Sequence, residues 1–199
     1  MSVAIEPEQP QDAAAIESLL DEAFGADRHK KQSYQYRRLT GPVEALCLVA
    51  RDRGRVVGTV RFWPVTIVGD RRMTPALLLG PIGVAGDRRS ERIGDRLMRE
   101  SLRQADELGH AIVLLVGDLS YYGRFGFRSA AAHGIDMPGE QPQRLQVLEL
   151  QAGALAGVAG DLWPVQSAAE RRKGAQKKAA QKKSGGTAAP PPKIGRYGT

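Results

Sequence analysis

Residues 77–127 read LLLGPIGVAGDRRSERIGDRLMRESLRQADELGHAIVLLVGDLSYYGRFGF and contain two apolar segments on either side of an amphipathic one. The apolar segments, 74–84 and 110–118, show no alternation, which is typical of strands that are buried on both faces. Between them, apolar residues at helical spacing predict a helix over 90–108, with Gly109 as its stop. Two buried strands joined through a helix predict a right-handed βαβ unit with a parallel strand pair.

The remaining segments predict shorter elements around this unit. Arg53–Gly54 separates two apolar runs, which favours a β-hairpin, and Pro64 then requires an edge or a bulge in the second strand. The other predicted elements are a strand and a turn within 2–12, a helix that Asp12 caps and Gly25 ends, a helix over 27–39, and weaker strands at 127–131 and 145–150.

The composition indicates a single domain of ordinary size. The 199 residues are enough to build one domain with a large core. No apolar run approaches the roughly 20 residues that span a bilayer, and the first residues lack the pattern of a secretory signal. Cys47, the only cysteine, excludes an internal disulfide and is expected to pack as a small hydrophobic residue. We therefore expect a cytoplasmic protein.

The positive charge of the chain is concentrated at its C-terminal end. Nine of the 29 Lys and Arg residues lie in 171–199, which contains no acid, so the formal net charge of +7 does not describe the rest. We predict a domain over 1–166 and a basic, disordered tail over 167–199, because the tail has too few apolar residues to offset its chain entropy. The tail is either a solubilising extension or a non-specific contact for polyanions such as nucleic acid or an anionic membrane surface.

The loop between the first buried strand and the helix has the chemistry of an anion site. Free backbone N–H groups at the start of a helix, with Arg88, Arg89 and Ser90 beside them, favour a negatively charged ligand. A solvated basic turn capped by Ser90 is the alternative. The glycines of this region do not have the spacing of a dinucleotide-binding fold, and no Walker lysine follows them.

Together, these elements resemble the GNAT superfamily of acyl-coenzyme A dependent N-acetyltransferases, and more narrowly a bacterial branch of predicted acetyltransferases. The resemblance covers 2–150 and rests on 77–127, which holds a pyrophosphate loop and a closing Tyr-Tyr-x-x-Phe-Gly-Phe signature. The family loop, Gln/Arg-x-x-Gly-x-Gly/Ala, corresponds to 89–94, where Arg92 replaces the middle glycine. The resemblance implies an α/β (α+β) fold: a mixed, mostly antiparallel sheet of six to seven strands, with a splayed parallel pair of fourth and fifth strands, flanked by helices.

In this family acetyl-coenzyme A is the acyl donor, and its pantetheine fills the gap between the splayed strands. The resemblance therefore implies pantetheine contacts at Ile82, Gly83 and Val84. It implies pyrophosphate contacts along the loop at Arg89, Ser90, Glu91, Arg92, Ile93 and Gly94. A left-handed conformation at Arg92 would cost roughly 1–2 kcal/mol and could obstruct the phosphates, whereas its guanidinium could also bind them. Both accounts of Arg92 stay open.

The closing signature contains the candidate catalytic residue. In the family, its tyrosine protonates the departing thiolate, and Tyr122 occupies that position. A phenol with a pKa near ~10 can donate such a proton. Tyr121 is expected to be aromatic core. No general base stands out, since Asp118 is equally suited to cap the following helix, and no metal site is predicted because the histidines are scattered.

The family acceptor pocket is walled by the first two helices and the third strand. This implies substrate contacts at Tyr34, Phe62 and Trp63, with Phe24 and Tyr36 as further aromatic candidates. The implied function is acetyl transfer from acetyl-coenzyme A to a primary amine of an unidentified small molecule or peptide, by a monomer or homodimer. The alternative is a degenerate acyl-coenzyme A binding or nucleic-acid-associated module without transferase activity, suggested by the loop arginine, the missing base and the basic tail.

Overall fold

The computed structural model describes residues 3–70 and 72–165. Its helices are α1 (Ala13–Phe24), α2 (Gln32–Arg37), α3 (Ile93–Glu107) and the single turn α4 (Leu119–Tyr122). Its strands are β1 (Ala4–Pro7), β2 (Leu48–Asp52), β3 (Arg55–Val68), β4 (Met73–Val84), β5 (Ile112–Val116), β6 (Arg128–Ser129), β7 (Ile135–Asp136), β8 (Leu145–Glu149) and β9 (Gly160–Pro164).

One sheet contains all nine strands of the described residues. Seven of them follow the order β1-β2-β3-β4-β5-β8-β6, while β9 pairs with the far end of β3 and β7 pairs with β9. The pairs are antiparallel except for β4–β5 and β7–β9. The predicted mixed, mostly antiparallel sheet with a parallel fourth and fifth strand is therefore confirmed. The sequence pattern does not predict β7 and β9. The two residues of β7 are too few for a period to be recognised, and β9 begins with Gly-Asp and ends with Pro, residue types that are depleted in strands.

Each face of the sheet buries an apolar cluster of its own. On one face, Leu20 of α1 and Leu97 of α3 belong to the same cluster as Leu77 and Leu79 of β4. Leu78, which lies between those two leucines, belongs to the other cluster. Successive side chains of a strand point to opposite faces, and from Ala76 to Pro81 every residue of β4 is buried, so both of its faces are apolar there.

The predicted hairpin connects β2 to β3 through Arg53 and Gly54, whose φ angles are 47° and 84°. Two-residue hairpin turns require such positive φ values. Farther along β3, Pro64 pairs with Leu77 of β4. On the opposite edge of β3, the pairing with β2 ends before Pro64 and the pairing with β9 begins after it, at Val65. The predicted edge position of Pro64 is confirmed, because the side of β3 away from β4 is open at this residue.

The predicted helix over 27–39 is wrong at its centre. A short 3-10 turn and α2 are separated by Lys31, whose ψ of 145° is extended. The cause is a tertiary contact: the buried Arg28 donates to Asp21 of α1 at 2.7 Å and also pairs with Glu17. These ion pairs hold the 3-10 turn against α1, and a local sequence pattern contains no information about them.

Two further boundaries differ from the prediction. A 3-10 turn precedes α3, so the helix predicted over 90–108 begins at Ile93. Of the two weaker strands, the one predicted over 145–150 is β8, whereas the one over 127–131 is reduced to β6 because a 3-10 turn follows it. The predicted tail over 167–199 lies outside the described residues. Across the ranges that the structure covers, no helix is both long and apolar enough to traverse a bilayer.

Cys47 is a buried residue next to β2. Burial raises the pKa of its thiol to about 11, so the thiolate is disfavoured at neutral pH. The residue therefore packs as the small hydrophobic side chain that the sequence predicts.

Candidate active site

β4 and β5 pair over a short distance and then diverge. Leu77 and Leu78 lie beside Val113 and Leu114, and no further pair joins the two strands among the described residues. β4 continues to Val84 with β3 on one side only, so backbone groups of its other edge face a gap. A gap of this kind accepts an extended ligand that hydrogen-bonds to a strand edge.

The edge of β4 is irregular at Gly80–Pro81, where two residues lie opposite Arg61 of β3. The indole Nε1 of Trp63 donates to the Gly80 carbonyl at 2.7 Å and holds this bulge. The irregularity of the strand is confined to Gly80–Pro81, and Gly83 is regularly paired. Glycine is favoured at 83 because α1 packs directly on the strand, and a Cβ there would lie 2.9 Å from the Leu19 side chain.

The chain leaves β4 through a 3-10 turn and enters α3 at Arg92. This residue has φ 55° and ψ 26°, a left-handed conformation that few non-glycine residues adopt. It holds the N-cap position, so Ser90 lies within the 3-10 turn and does not provide the cap of the alternative interpretation. The first N–H groups of α3 have no intrahelical partner, and the helix dipole makes this end positive. The local geometry is that of an anion site.

A cleft of about 560 Å³, named here the arginine cleft, is lined by Ala23, Phe24, Ile82, Gly83, Val84, Arg89, Arg92, Gly94, Asp95, Tyr121 and Arg124. Arg89 and Arg92 form no ion pair with any described residue. Arg124 is paired with Asp95 at 2.8 Å. Arg88, in contrast, is bound by two carboxylates and stabilises the loop. The cleft therefore contains two arginines whose charge is not compensated within the described chain.

Gly94 opens the arginine cleft to a ligand. A Cβ at this position would lie 3.6 Å from Val84 and 3.7 Å from the Tyr121 hydroxyl, both ordinary contact distances. Neither neighbour excludes a side chain, so the fold itself does not require glycine here. The missing Cβ instead leaves free space between β4 and α4, next to the free N–H groups of α3.

A second cavity of about 370 Å³, the tyrosine cavity, adjoins the arginine cleft at Phe24 and Ile82, which line both. It extends from the splayed ends of β4 and β5 to α2. Its other lining residues are Lys31, Gln32, Ser33, Tyr34, Arg37, Leu79, Gly80, Pro81, Leu115, Val116, Tyr122, Gly139, Glu140 and Arg144.

Tyr122 forms part of the wall of the tyrosine cavity. Its ring packs on Gly117, where a Cβ would lie 2.8 Å from the ring Cδ2, and on the edge of Phe127 at a centroid distance of 6.2 Å. Burial raises the pKa of the Tyr122 hydroxyl, and the neighbouring Tyr121 and Asp118 raise it further. The phenol is therefore protonated at neutral pH and is a suitable proton donor to a group in the cavity.

Tyr121 is not the core residue that the sequence predicts. It is 43% exposed and lines the arginine cleft, with the Arg124 guanidinium 4.0 Å from the centre of its ring. The reason is helical geometry, since consecutive residues on the single turn α4 point in directions about 100° apart. Tyr122 therefore faces the tyrosine cavity while Tyr121 faces the arginine cleft.

A strand pair that splays beside a helix N-terminus is one of several architectures that can bind an anionic ligand, and comparison with known proteins decides between them. A family profile described as an acetyltransferase (GNAT) domain matches residues 4–130. The chain belongs to the GNAT family.

Relatives of the chain share this GNAT architecture over most of their length. The uncharacterized N-acetyltransferase YhbS of Escherichia coli K12 is 33% identical over 158 residues, which are 78% of this chain and 92% of the relative. The crystal structure of Escherichia coli YhbS in complex with CoA has a TM-score of 0.71 and 32% identity, and the match covers 81% of this chain and 89% of that one. A GNAT family acetyltransferase from Brucella melitensis, in complex with acetyl-CoA, has a TM-score of 0.62 and 29% identity, with 81% and 95% covered.

The predicted cofactor residues of this GNAT domain separate into two groups. Six of them line the arginine cleft together: Ile82, Gly83, Val84, Arg89, Arg92 and Gly94. Ser90 and Glu91 are exposed outside the cleft, and Glu91 is paired with Arg88. The side chain of Ile93 is 2% exposed and lies in the core. These last three residues have only backbone groups to offer a ligand in the cleft.

The predicted acceptor residues of the GNAT domain are only partly brought together. Tyr34 and Phe24 line the tyrosine cavity. Phe62 does not line it, because its side chain is fully buried in the cluster under α1 and α3. Tyr36 is also buried, and its hydroxyl donates to a β9 carbonyl at 2.8 Å. Trp63 holds the β4 bulge and lines a neighbouring cavity that it shares with Tyr34.

The sequence pattern misses the charged residues of the tyrosine cavity: Lys31, Arg37, Glu140 and Arg144. Arg37 follows Tyr34 by three residues, so helical spacing could have indicated that the two share a face. Glu140 and Arg144 come from a loop remote in sequence, and no local signal connects them to α2. Asp118 is exposed at the N-cap of α4 and makes no side-chain capping bond, so neither of its predicted roles is visible in the fold.

Proposed function

We propose that this protein transfers an acetyl group from acetyl-coenzyme A to a primary amine. One observation carries the proposal: the gap beside β4 runs from the uncompensated arginines of the arginine cleft, past Phe24 and Ile82, to Tyr122 in the tyrosine cavity. A donor with an anionic pyrophosphate at one end and a thioester at the other matches that order of groups. The CoA and acetyl-CoA bound to the two related structures support the same assignment.

The residues of the arginine cleft fit a pyrophosphate. Arg89 and Arg92 would supply charge-assisted hydrogen bonds, and the free N–H groups at the start of α3 would supply further donors. Gly94 leaves the space that such a group needs. The edge of β4 from Ile82 to Val84 would bind the amides of pantetheine.

Tyr122 would act as the general acid. The acetyl thioester supplies a carbonyl carbon that the amine nitrogen attacks, and its C–S bond breaks. Tyr122 donates its hydroxyl proton to the sulfur that takes the electron pair of that bond, and water restores the phenol. The raised pKa of Tyr122 keeps this proton in place until the sulfur becomes basic. The nitrogen releases its own proton to water.

Donor binding and proton transfer can be tested separately. Acetyl-coenzyme A should raise the melting temperature in proportion to the logarithm of its concentration once the site is saturated, as ligand linkage requires.

Tyr122→Phe should lower kcat for thiol release with an amine panel by about 10- to 1,000-fold. The dissociation constant of CoA should change little, because the phenol contacts the reacting sulfur and not the phosphates.

Tyr121→Phe is the matched control, since it removes the adjacent hydroxyl, which faces the arginine cleft, and should have a mild effect on kcat. An unchanged melting temperature at saturating acetyl-coenzyme A would contradict the donor assignment. Thermal stabilisation without thiol release on any amine would favour an acyl-coenzyme A binding module. Equal turnover in Tyr122→Phe and the unmodified protein would remove Tyr122 from the mechanism.

A further inference from the structure

One guanidinium of the tyrosine cavity is buried without a carboxylate partner among the residues that the structure describes. Arg37 ends α2, and its Nε and Nη1 are buried and unpartnered among the described residues. Its Cζ lies 4.5 Å from the centre of the Tyr34 ring. Burial lowers the pKa of the Arg37 guanidinium to about 10, so the group is still a cation at neutral pH. Burying a cation with two of its nitrogens unpartnered is costly, which points to a ligand that completes its hydrogen bonds.

Arg28, which precedes α2, shows how this chain satisfies a structural guanidinium. It is buried as well, but it pairs with Glu17 and Asp21 and donates to the Tyr34 hydroxyl at 3.2 Å. Both arginines are buried and both contact Tyr34, so neither burial nor this contact distinguishes them. The difference is that Arg37 lines the tyrosine cavity and Arg28 does not. Both arginines also line the neighbouring cavity beside Trp63, so the tyrosine cavity is the space that Arg37 reaches and Arg28 does not, and we place the missing partner of Arg37 there.

Most of the other charges of the cavity are positive as well. Lys31 and Arg144 also line it, and neither is paired with a carboxylate of a described residue. The Lys31 ammonium lies 5.3 Å from the centre of the Phe24 ring. Of the described lining residues, Glu140 alone carries a carboxylate, and that group accepts a hydrogen bond from the next backbone N–H. Three cations against one acid make the cavity complementary to an anionic ligand.

We propose that the amine acceptor carries a carboxylate and that Arg37 binds it. The substrate class is then amino acids and other amines that bear a carboxylate. This inference rests on the proposed acetyl transfer. A planar guanidinium matches a carboxylate better than any other side chain does, because it offers several N–H donors in one plane. Since Arg37 and Tyr122 line the same cavity, a carboxylate held at α2 leaves the amine free to reach the splayed ends of β4 and β5.

The cations would also assist the chemistry. Positive charges close to an ammonium favour its neutral form. Lys31 and Arg144 would therefore lower the pKa of a bound acceptor amine and increase the fraction that is nucleophilic. This contribution would reduce the need for a strong general base.

The test uses pairs of amines that differ in charge but keep the same frame: 4-(aminomethyl)benzoate against 4-(aminomethyl)benzamide, and 6-aminohexanoate against 6-aminohexanamide. The full-length protein should prefer the acid of each pair by about 10- to 100-fold in kcat/KM, the usual effect of a charge-assisted hydrogen bond. Arg37→Gln should abolish this preference, chiefly through KM. Arg37→Lys should restore part of it. Arg38→Gln removes an adjacent, exposed charge outside the cavity and should keep it.

Acid and amide used equally well by the unmodified protein would overturn the proposal, as would a preference that survives in Arg37→Gln. If neither pair of amines is acetylated, calorimetry measures the binding of benzoate and hexanoate to the protein, with and without CoA, and tests the carboxylate site directly. Binding that Arg37→Gln abolishes and Arg38→Gln retains supports a carboxylate site, and no binding of either anion overturns it. Failure of the proposed function has a different signature, because acetyl-coenzyme A would then neither bind nor release thiol with any amine.

Discussion

Gly94 and Gly123 are two glycines in helical surroundings, and only Gly94 lines the arginine cleft. A Cβ at 94 would enter the space between Val84 and Tyr121, while a Cβ at 123 would meet only Leu119, at 3.8 Å. The two positions therefore differ in what an added methyl group would occupy. We propose that Gly94 leaves room for a ligand, because the neighbouring protein atoms would tolerate a methyl group.

We expect Gly94→Ala to weaken acetyl-coenzyme A binding by about tenfold or more without destabilising the unliganded protein. The added methyl group occupies ligand space, while alanine is a better helix former than glycine by about 1 kcal/mol. Calorimetric titration and thermal unfolding measure the two effects. Gly123→Ala is the control and should change neither affinity nor melting temperature appreciably. Loss of stability in Gly94→Ala, with unchanged affinity, would assign this glycine to the fold.

At the scale of the element, the junction between the loop and α3 combines strain with charge. Arg92 caps the helix in a left-handed conformation, and its side chain lines the arginine cleft without an ion-pair partner among the described residues. The two accounts of Arg92 that the sequence leaves open concern different quantities. The backbone conformation affects the free energy of unfolding, and the guanidinium affects ligand binding.

We expect Arg92→Gly to raise the free energy of unfolding by about 1 kcal/mol, because glycine adopts the left-handed conformation without strain. The same change should weaken acetyl-coenzyme A binding and reduce the dependence of its dissociation constant on salt, because a phosphate contact is lost. Denaturant unfolding and titrations at several ionic strengths measure both. Tighter binding in Arg92→Gly would show that the arginine obstructs the site.

At the scale of the whole molecule, the last described strand defines how much of the chain the fold needs. β9 pairs with β3 through Val65, Thr66, Ile67 and Val68, and it also supports β7. A chain that ends at Glu170 retains β9 and loses all nine positive charges of 171–199. A chain that ends at Gly157 loses β9 as well and exposes the buried Val65 and Ile67.

We propose that the segment after Glu170 adds nothing to the stability of the domain. Truncation there should leave the melting temperature and acetyl transfer unchanged and should abolish any retention on nucleic acid at low salt, since that retention depends on lysine and arginine. The chain ending at Gly157 should unfold at a clearly lower temperature. Loss of folding or of transfer on truncation at Glu170 would show that the tail belongs to the domain.

The sequence by itself determined the central unit of this protein. The unbroken apolar segments around β4 and β5, the helical spacing in α3 and the turn at Arg53–Gly54 are local patterns, and each reports how much of its own element is buried. They predict the parallel pair, the loop and the hairpin. The closing signature likewise indicates Tyr122 before its cavity is known.

Only the tertiary structure decided what surrounds that unit. The break at Lys31 accompanies ion pairs between Arg28 and α1. The two different cavities that Tyr121 and Tyr122 line are formed by elements distant in sequence. The charge of the tyrosine cavity depends on α2 and on a loop that is remote from it in sequence. Periodicity records the burial of single elements, whereas ion pairs and cavity walls arise from contacts between distant residues, and those contacts exist only once the chain has folded.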